Sequence, residues 1–575
     1  MSESSNIIQF AGRAQRSATM PDQSAWVVAN AGTGKTKVLT DRVTRLLLAG
    51  VPPERILCLT FTKAAAAEMR NRLALQLGRW AMADDAALDK EIAALIDRAP
   101  TPEQRPPARR LFAQVLDAPG GINILTIHAF CQALLKRFPL EAGVTPGFDV
   151  LDEADATALL RKAQNDQIDE LARDDASPEL RDALAIVAGK TSAGEYTELM
   201  GRLLGERAWL LERIGTEAGL KSVRRQLAKK LACDKPDTSR PDEKALRAAA
   251  AALARGAKTD KARGMIIATW LASPDAERIA TRDTYARAYF TTTGSLQTRL
   301  ATNAVVEAMP DIVEILTTEA TRLAAVIDHA RGCELVERTL ALLQLGLDIT
   351  ERYAAAKRRR SALDYDDLIV ATRRLLADGA SWVLYKLDGG IEHVLVDEAQ
   401  DTNPDQWDVI RSLTGEFFAG ESAASNRERT IFVVGDTKQS IFGFQRADPA
   451  KLAEMRDAFE TEIRNAQKRF VPVELTVSFR STPAVLDAVD WVFSQPDAAK
   501  GVADEVVHLA SRQDSPGRVE LWPLVEGEEI ATDTSDVTAT RRAVQSAMAP
   551  HQRLAKVIAL HAKSLIDGGE RRAKD

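Results

Sequence analysis

Four cysteines in 575 residues, Cys58, Cys131, Cys233 and Cys333, lie far apart in the chain. No two have metal-ligand spacing, and nothing suggests a disulfide framework, so the expectation is a reduced, cytoplasmic setting. No run approaches the ~18 apolar residues of a membrane-spanning helix. The opening MSESSNIIQF has neither a basic nor an apolar segment, so no secretory signal and no membrane partner are expected. A positive excess is also missing. At a net charge of −6, any binding of a nucleic acid must come from a local surface rather than a global field.

What remains is an ordinary globular composition, 45% apolar and 27% charged. Its length suits about four domains at ~150 residues each. The chain is organised around Ala25–Thr40, AWVVANAGTGKTKVLT. Four apolar residues predict a short buried strand, then comes a Gly-rich turn, then an amphipathic helix opening near Lys35. Gly32 and Gly34 let backbone N–H groups approach phosphate oxygens, and the helix start behind them favours an anion. Lys35 would neutralise the β- and γ-phosphates of a nucleotide, and the Thr36 hydroxyl would hold Mg²⁺. Ala29 stands where the strict phosphate-loop pattern has glycine. The plain alternative is a Gly-rich turn before a helix with a chance Lys-Thr.

Upstream, Gln15 has an amide that could read an adenine edge, or simply be solvated. Downstream, Arg55–Thr60 reads as a strand of a parallel, doubly covered sheet, running into Thr60-Phe61-Thr62-Lys63 and a helix 64–77. Thr60, Thr62 and Lys63 suit a nucleic-acid phosphate; capping by Thr62 is an equal alternative. Residues 81–107, with scattered acids and four prolines, read as a surface excursion. Ile122–Thr126 predicts a third strand. After Thr126, His128 and Phe130 could meet a base, though core or cap is the commoner role.

From about 155 to 355 glycine thins and helix formers dominate, as in KALRAAAAALAR, which predicts an inserted helical domain. The basic run Lys357–Arg360 closes it, as a solvated face. The α/β pattern resumes at DYDDLI (364–369), and IEHVLV (391–396) predicts a strand leading into Asp397-Glu398. Asp397 would hold the metal and Glu398 would take a proton from the attacking water. Strand 430–434 leads to Gln439, which could sense the γ-phosphate, and to Phe442 and Phe444, which could stack on a base. Val473–Phe479 predicts a strand ending at Arg480, placed to act from a second domain as an arginine finger. A strand at 518–524 and a helix near 551–566 complete the reading.

The set AQR (14–16), ANAGTGKT (29–36), LTFTKAAAAEMRNRL (59–73), TIHAF (126–130), DYDDLI, VDEAQD (396–401), VVGDTKQSIFGFQRAD (433–448) and LTVSFRS (475–481) resembles superfamily 1 helicases of the UvrD/Rep type. Within them it is most similar to the AddA-type helicase-nuclease subunits of double-strand-break repair. The resemblance implies a RecA-like α/β core, residues 1–154 and 361–472, with a helical insertion at 155–360 and a second core opening at 473–575. It implies ATP and Mg²⁺ as cofactors, held by Gln15, by the loop Ala29, Asn30, Ala31, Gly32, Thr33, Gly34, Lys35, Thr36, and by Lys37. Lys35, Asp397, Glu398, Gln439 and Arg480 would serve hydrolysis, with Thr36 and Asp397 on the metal. Thr60, Thr62, Lys63, Thr126, His128, Phe130 and Phe444 would track DNA, single- or double-stranded, 3′ to 5′, beside an AddB-like second subunit. The family's later coupling motifs and the AddA nuclease pattern are not found. The chain therefore reads as an N-terminal portion, or else as an ATP- and DNA-binding module that does not move by itself.

Overall fold

The computed structural model describes residues 3–118, 120–173, 175–235, 239–377, 383, 390–418, 427–440, 447–499, 507–525 and 550–567. The chain forms two compact units, one of Met1–Thr126, Asp388–Trp407 and Thr414–Asp575, the other of Ile127–Leu387 and Asp408–Leu413. They divide the chain differently from the boundaries read at 154, 360 and 472.

The first unit is built on six parallel strands: β1 (Ser24–Ala29), β2 (Ile56–Thr60), β3 (Asn123–Thr126), β6 (His393–Val396), β7 (Thr430–Gly435) and β8 (Phe470–Leu475). Their order across the sheet is β3-β2-β6-β7-β1-β8. The central strands are mainly apolar because helices cover both faces; every residue of β2, β6 and β7 is buried, the polar Thr60, His393 and Thr430 at their ends included. Trp26 of β1 stacks on Trp407 with ring centroids 6.0 Å apart and meets Phe459 at 6.4 Å. On the other face Val27, Val38, Leu39, Leu73, Trp80 and Ile124 share a core.

Three expectations need correction. Residues 81–107 are not a surface excursion. Helix Asp85–Ile96 and the start of helix Arg105–Asp117 lie there, and Leu88, Ile92 and Leu95 enter the same core. Their spacing of four and three is a helical stripe that the intervening acids conceal. The strand expected at 473–479 is two: β8 ends at Leu475 as the sixth strand beside β1, while β9 (Val477–Ser478) pairs with β10 (Leu509–Ala510). The stretch 518–524 forms no strand.

The second unit is helical apart from β4 (Asp149–Val150) and β5 (Ala362–Leu363), which pair in parallel. Its axis is the 48-residue helix Ile312–Arg359, about 72 Å long at 1.5 Å per residue. Near its start Ile312, Leu316, Ala320 and Leu323 join a cluster with Tyr285 and Tyr289. Further along, Ala341, Leu345, Ile349 and Tyr353 join a second with Leu159, Val187 and Met200. Lys357 is not on a solvated face. It is buried, pairs with Asp364 at 2.8 Å and also with Asp367, so the DYDDLI acids anchor the helix end. None of the helices among the described residues is long and apolar enough to cross a membrane.

Candidate nucleotide site

The loop after β1 is shaped by its two glycines. Gly32 takes φ +75° and Gly34 φ +91°, conformations that favour glycine. A Cβ on Gly32 would stand 2.6 Å from Arg480 Cβ and 2.8 Å from Ser478 Oγ, so the space is closed to any side chain. Ala29 closes β1 and is not among the residues of positive φ. Its methyl therefore costs nothing here, which explains the departure from the glycine pattern. Gly34 caps helix Lys35–Leu48 with no side-chain hydrogen bond to the first-turn N–H groups, leaving them available to an anion. Asn30 N–H donates to Leu475 O, Thr33 Oγ1 to Asn30 O at 2.8 Å and Gln15 Nε2 to Thr33 O at 3.0 Å, so strand β8 and the first helix brace the loop. Exposed Ala31 is the loop's outermost residue. Lys37 points outward and pairs with Asp41.

Across the sheet, β6 delivers Asp397 and Glu398. Asp397 N–H donates to Leu59 O of β2 at 2.9 Å. Glu398 adopts φ +49°, an uncommon conformation for a residue with a side chain, of the kind found at functional sites. This bend brings its carboxylate to Lys35: Nζ donates to Glu398 Oε2 at 2.9 Å and to Gln439 Oε1 at 3.2 Å. Residues 35, 398 and 439 thus meet at one point. Asp397 is buried, and burial together with the Glu398 charge pushes its carboxyl up to about 7. Burial, aided by Glu398, likewise raises Asp401 to about 6. Two acids that resist ionisation beside an ammonium form a site short of positive charge.

Two groups without a role in the sequence reading hold this arrangement. Gln400 Nε2 donates to Glu398 Oε2 at 2.8 Å while its Oε1 accepts from Asp436 N–H at 2.8 Å, tying the β6 exit to the β7 exit. Gly435 is required beneath it, since a Cβ would lie 2.9 Å from that Oε1. Asp436 accepts from Gln439 Nε2 at 2.7 Å and pairs with Lys438, fixing which end of the Gln439 amide faces Lys35. An amide two residues after the acidic glutamate, and an acid after the β7 glycine, were the available signals. Arg480 is exposed beside Gly32, and Phe479 N–H donates to Gly32 O at 2.8 Å. It comes from the chain just past β8, within the same compact unit rather than a second one.

Of the residues assigned to DNA, Thr60 and Thr126 are register partners at the β2 and β3 exits, both buried. Thr60 Oγ1 donates to Thr62 O, and Thr62 caps Ala65 N–H at 3.0 Å; Lys63 is exposed. In the helical unit His128 meets Tyr365 edge-on at 5.2 Å, and burial lowers its basicity. Phe130 is buried, 7% exposed, and packs rather than presents its ring. Phe442 and Phe444 lie outside the described residues.

The strand order, with a phosphate loop leaving β1 and an acidic pair leaving the adjacent-but-one β6, defines a RecA-like nucleotide-binding core. The chain belongs to the UvrD/REP helicase N-terminal domain family, which it matches over residues 11–460. It is similar to the ATP-dependent helicase/nuclease of Bacillus pumilus, in its AddA chain, 26% identical over 82% of this chain and 38% of that protein. It is also similar to the corresponding protein of Desulforudis audaxviator, 27% identical over 91% and 44%. At 38% and 44% coverage, the chain spans about two fifths of the length of these relatives.

Proposed function

We propose that this chain binds ATP with Mg²⁺ at the meeting of the β1 and β6 exits, hydrolyses it, and uses the cycle to move 3′ to 5′ along single-stranded DNA. It would do so within a helicase-nuclease that acts at double-strand breaks with an AddB-like second subunit. The single observation that carries the nucleotide reading is Lys35 Nζ, 2.9 Å from Glu398 and 3.2 Å from Gln439. The DNA substrate, direction and partner rest on the family membership and on the resemblance.

The donor set fits the group. A hydroxyl at Thr36 and a carboxylate at Asp397 are oxygen ligands of the kind a hard dication takes along with phosphate oxygens. Bound there, the ion would disperse phosphate charge. The chain's own part is then assigned by position. The first-turn N–H groups behind Gly34 and the Lys35 ammonium grip the phosphates, and Gln15 sits over the loop to meet the base. A triphosphate competes with Glu398 for Lys35. The carboxylate so released, still steadied by Gln400, accepts the proton of the attacking water. Gln439 and Arg480 flank the γ-phosphate, with Lys37 at the rim. Thr60, Thr62, Lys63 and Thr126 at neighbouring strand exits, His128 and Phe444 are assigned to DNA, with Phe130 as packing.

Lys35→Ala is expected to abolish binding of a fluorescent ATP analogue. Glu398→Gln is expected to keep it while DNA-stimulated hydrolysis falls by about 10²-fold or more. Hydrolysis at the native rate in Glu398→Gln would remove the assigned base. DNA-stimulated hydrolysis without strand movement would favour the non-motor module.

A further inference from the structure

Cys233 and Cys333 stand a hundred positions apart in the chain, yet the helical unit makes them neighbours. Helix Glu217–Lys230 ends in a turn where Ala232 takes φ +52° and Cys233 N–H donates to Ala228 O at 2.8 Å. The turn seats against the middle of helix Ile312–Arg359 at Gly332. A Cβ on Gly332 would lie 3.1 Å from Leu231 O and 3.9 Å from Cys233 Cβ, so the glycine makes room for the approach. The next residue is Cys333, which the seating of the turn on Gly332 brings beside Cys233. Both side chains are partly exposed.

A base stands beside them. His329, one turn before Cys333, places Nε2 2.8 Å from Lys235 O. A carbonyl only accepts, so Nε2 carries the proton and Nδ1 keeps its lone pair. Cys333 Sγ lies 3.9 Å from Nδ1 and 4.0 Å from Nε2, and Nδ1 is the ring nitrogen with a free lone pair. The other two cysteines differ: Cys58 and Cys131 are buried, and burial pushes the Cys131 thiol up to about 12 and Cys58 higher still.

We propose that Cys233 and Cys333 form a redox-responsive pair that closes to a disulfide on meeting a peroxide, fastening the turn at 231–235 to the middle of the long helix. His329 Nδ1 takes the Cys333 thiol proton, and the thiolate attacks a peroxide oxygen. An S–O bond forms, the O–O bond breaks and hydroxide leaves, giving a sulfenic acid. Cys233 sulfur then attacks the sulfenic sulfur; an S–S bond forms, the S–O bond breaks, and the second oxygen departs as water. Two thiols and one peroxide become one disulfide and two waters. Burial and the neighbouring Cys333 hold Cys233 above its usual range, so it stays a thiol while Cys333 is oxidised and gives its proton to the departing oxygen when it attacks.

The test treats the reduced full chain with one equivalent of hydrogen peroxide, followed by digestion without reductant. The expected product is a single peptide joining positions 233 and 333, reversed by dithiothreitol, with Cys58 and Cys131 still reduced. Cys233→Ser should leave a dimedone-trappable sulfenic acid at Cys333, and His329→Gln should slow closure at least about tenfold. The proposal is overturned if both thiols stay free, if Cys333 proceeds to sulfinic acid without a cross-link, or if His329→Gln closes at the native rate. No nucleotide or DNA enters the readout, so its failure is distinct from failure of the helicase reading.

Discussion

Arg42 is fully buried, and its guanidinium donates to neutral acceptors: Ala18 O, Met20 O and Gln23 O at 3.0, 2.8 and 2.6 Å, and Thr430 Oγ1 at 3.0 Å. Burial, and then Arg45, lower it to about 9. The guanidinium can only donate, so the Thr430 hydroxyl is free to give its own proton to His393 Nδ1, 2.8 Å away. His393 is thus built to be neutral, and burial with the Arg42 charge pushes it down to about 3. The sign follows. A folded value below the ordinary 6.5 means that this group's contribution to stability is complete above pH 6.5 and is lost as pH falls towards 3, at up to about 1.4 kcal/mol per pH unit. Asp397 and Asp401, held above the ordinary carboxylate range, act in the opposite sense over the same interval, so the contribution of His393 is read as a difference. Between pH 7.5 and 4.5 the urea stability of the native protein should fall relative to that of His393→Asn, which keeps an acceptor near the Nδ1 position; parallel pH profiles in the two proteins would exclude His393 as a contributor.

At the scale of elements, the sequence is legible where one physical demand acts. β1, β2, β6 and β7 read as apolar runs because each is covered on both faces, β3 reads as a short one at one edge of the sheet, and the helix after Gly34 reads from its loop. β8 is an edge strand of mixed burial, so its alternation continued through Thr476 into β9 and the two read as one. Helix Asp85–Ile96 was hidden by Asp84, Asp85 and Asp89, which cap it and pair with Arg105 and Arg109 on its outer side. The Lys35–Glu398–Gln439 meeting was legible as motifs, but Gln400 and Asp436 were not, since their roles exist only once β6 and β7 are side by side. The helix can be tested directly. Leu88 is wholly buried, so Leu88→Ala should lower stability by about 2–5 kcal/mol, as core truncations do, whereas a residue of a surface excursion would shift it by less than about 0.5. Chemical denaturation of the two proteins decides between them.

The whole molecule sets its site by pairing distant segments. Ile56 is in register with His393, and Arg55 pairs with Glu392 337 positions away, so Asp397 and Glu398 reach Lys35 only after the chain has passed through Ile127–Leu387 of the helical unit. The helical unit has its own clusters, around Tyr285 and around Leu345. Ligand binding at the sheet should therefore be felt unequally. An ATP analogue with Mg²⁺ at a hundred times its dissociation constant stabilises the state that binds it by about 2.7 kcal/mol. Amides of β1, β2, β6 and β7 that exchange only when the sheet opens should slow by about 100-fold. Those of the helices around Tyr285 and Glu319 should keep their rates. Lys35→Ala should abolish the slowing without altering the exchange pattern of the unliganded chain. Hydrogen exchange read by mass spectrometry separates this outcome from its opposite: equal slowing in both units would mean that they open together, and that the nucleotide's binding energy is spread over the whole chain rather than held in the sheet that grips it.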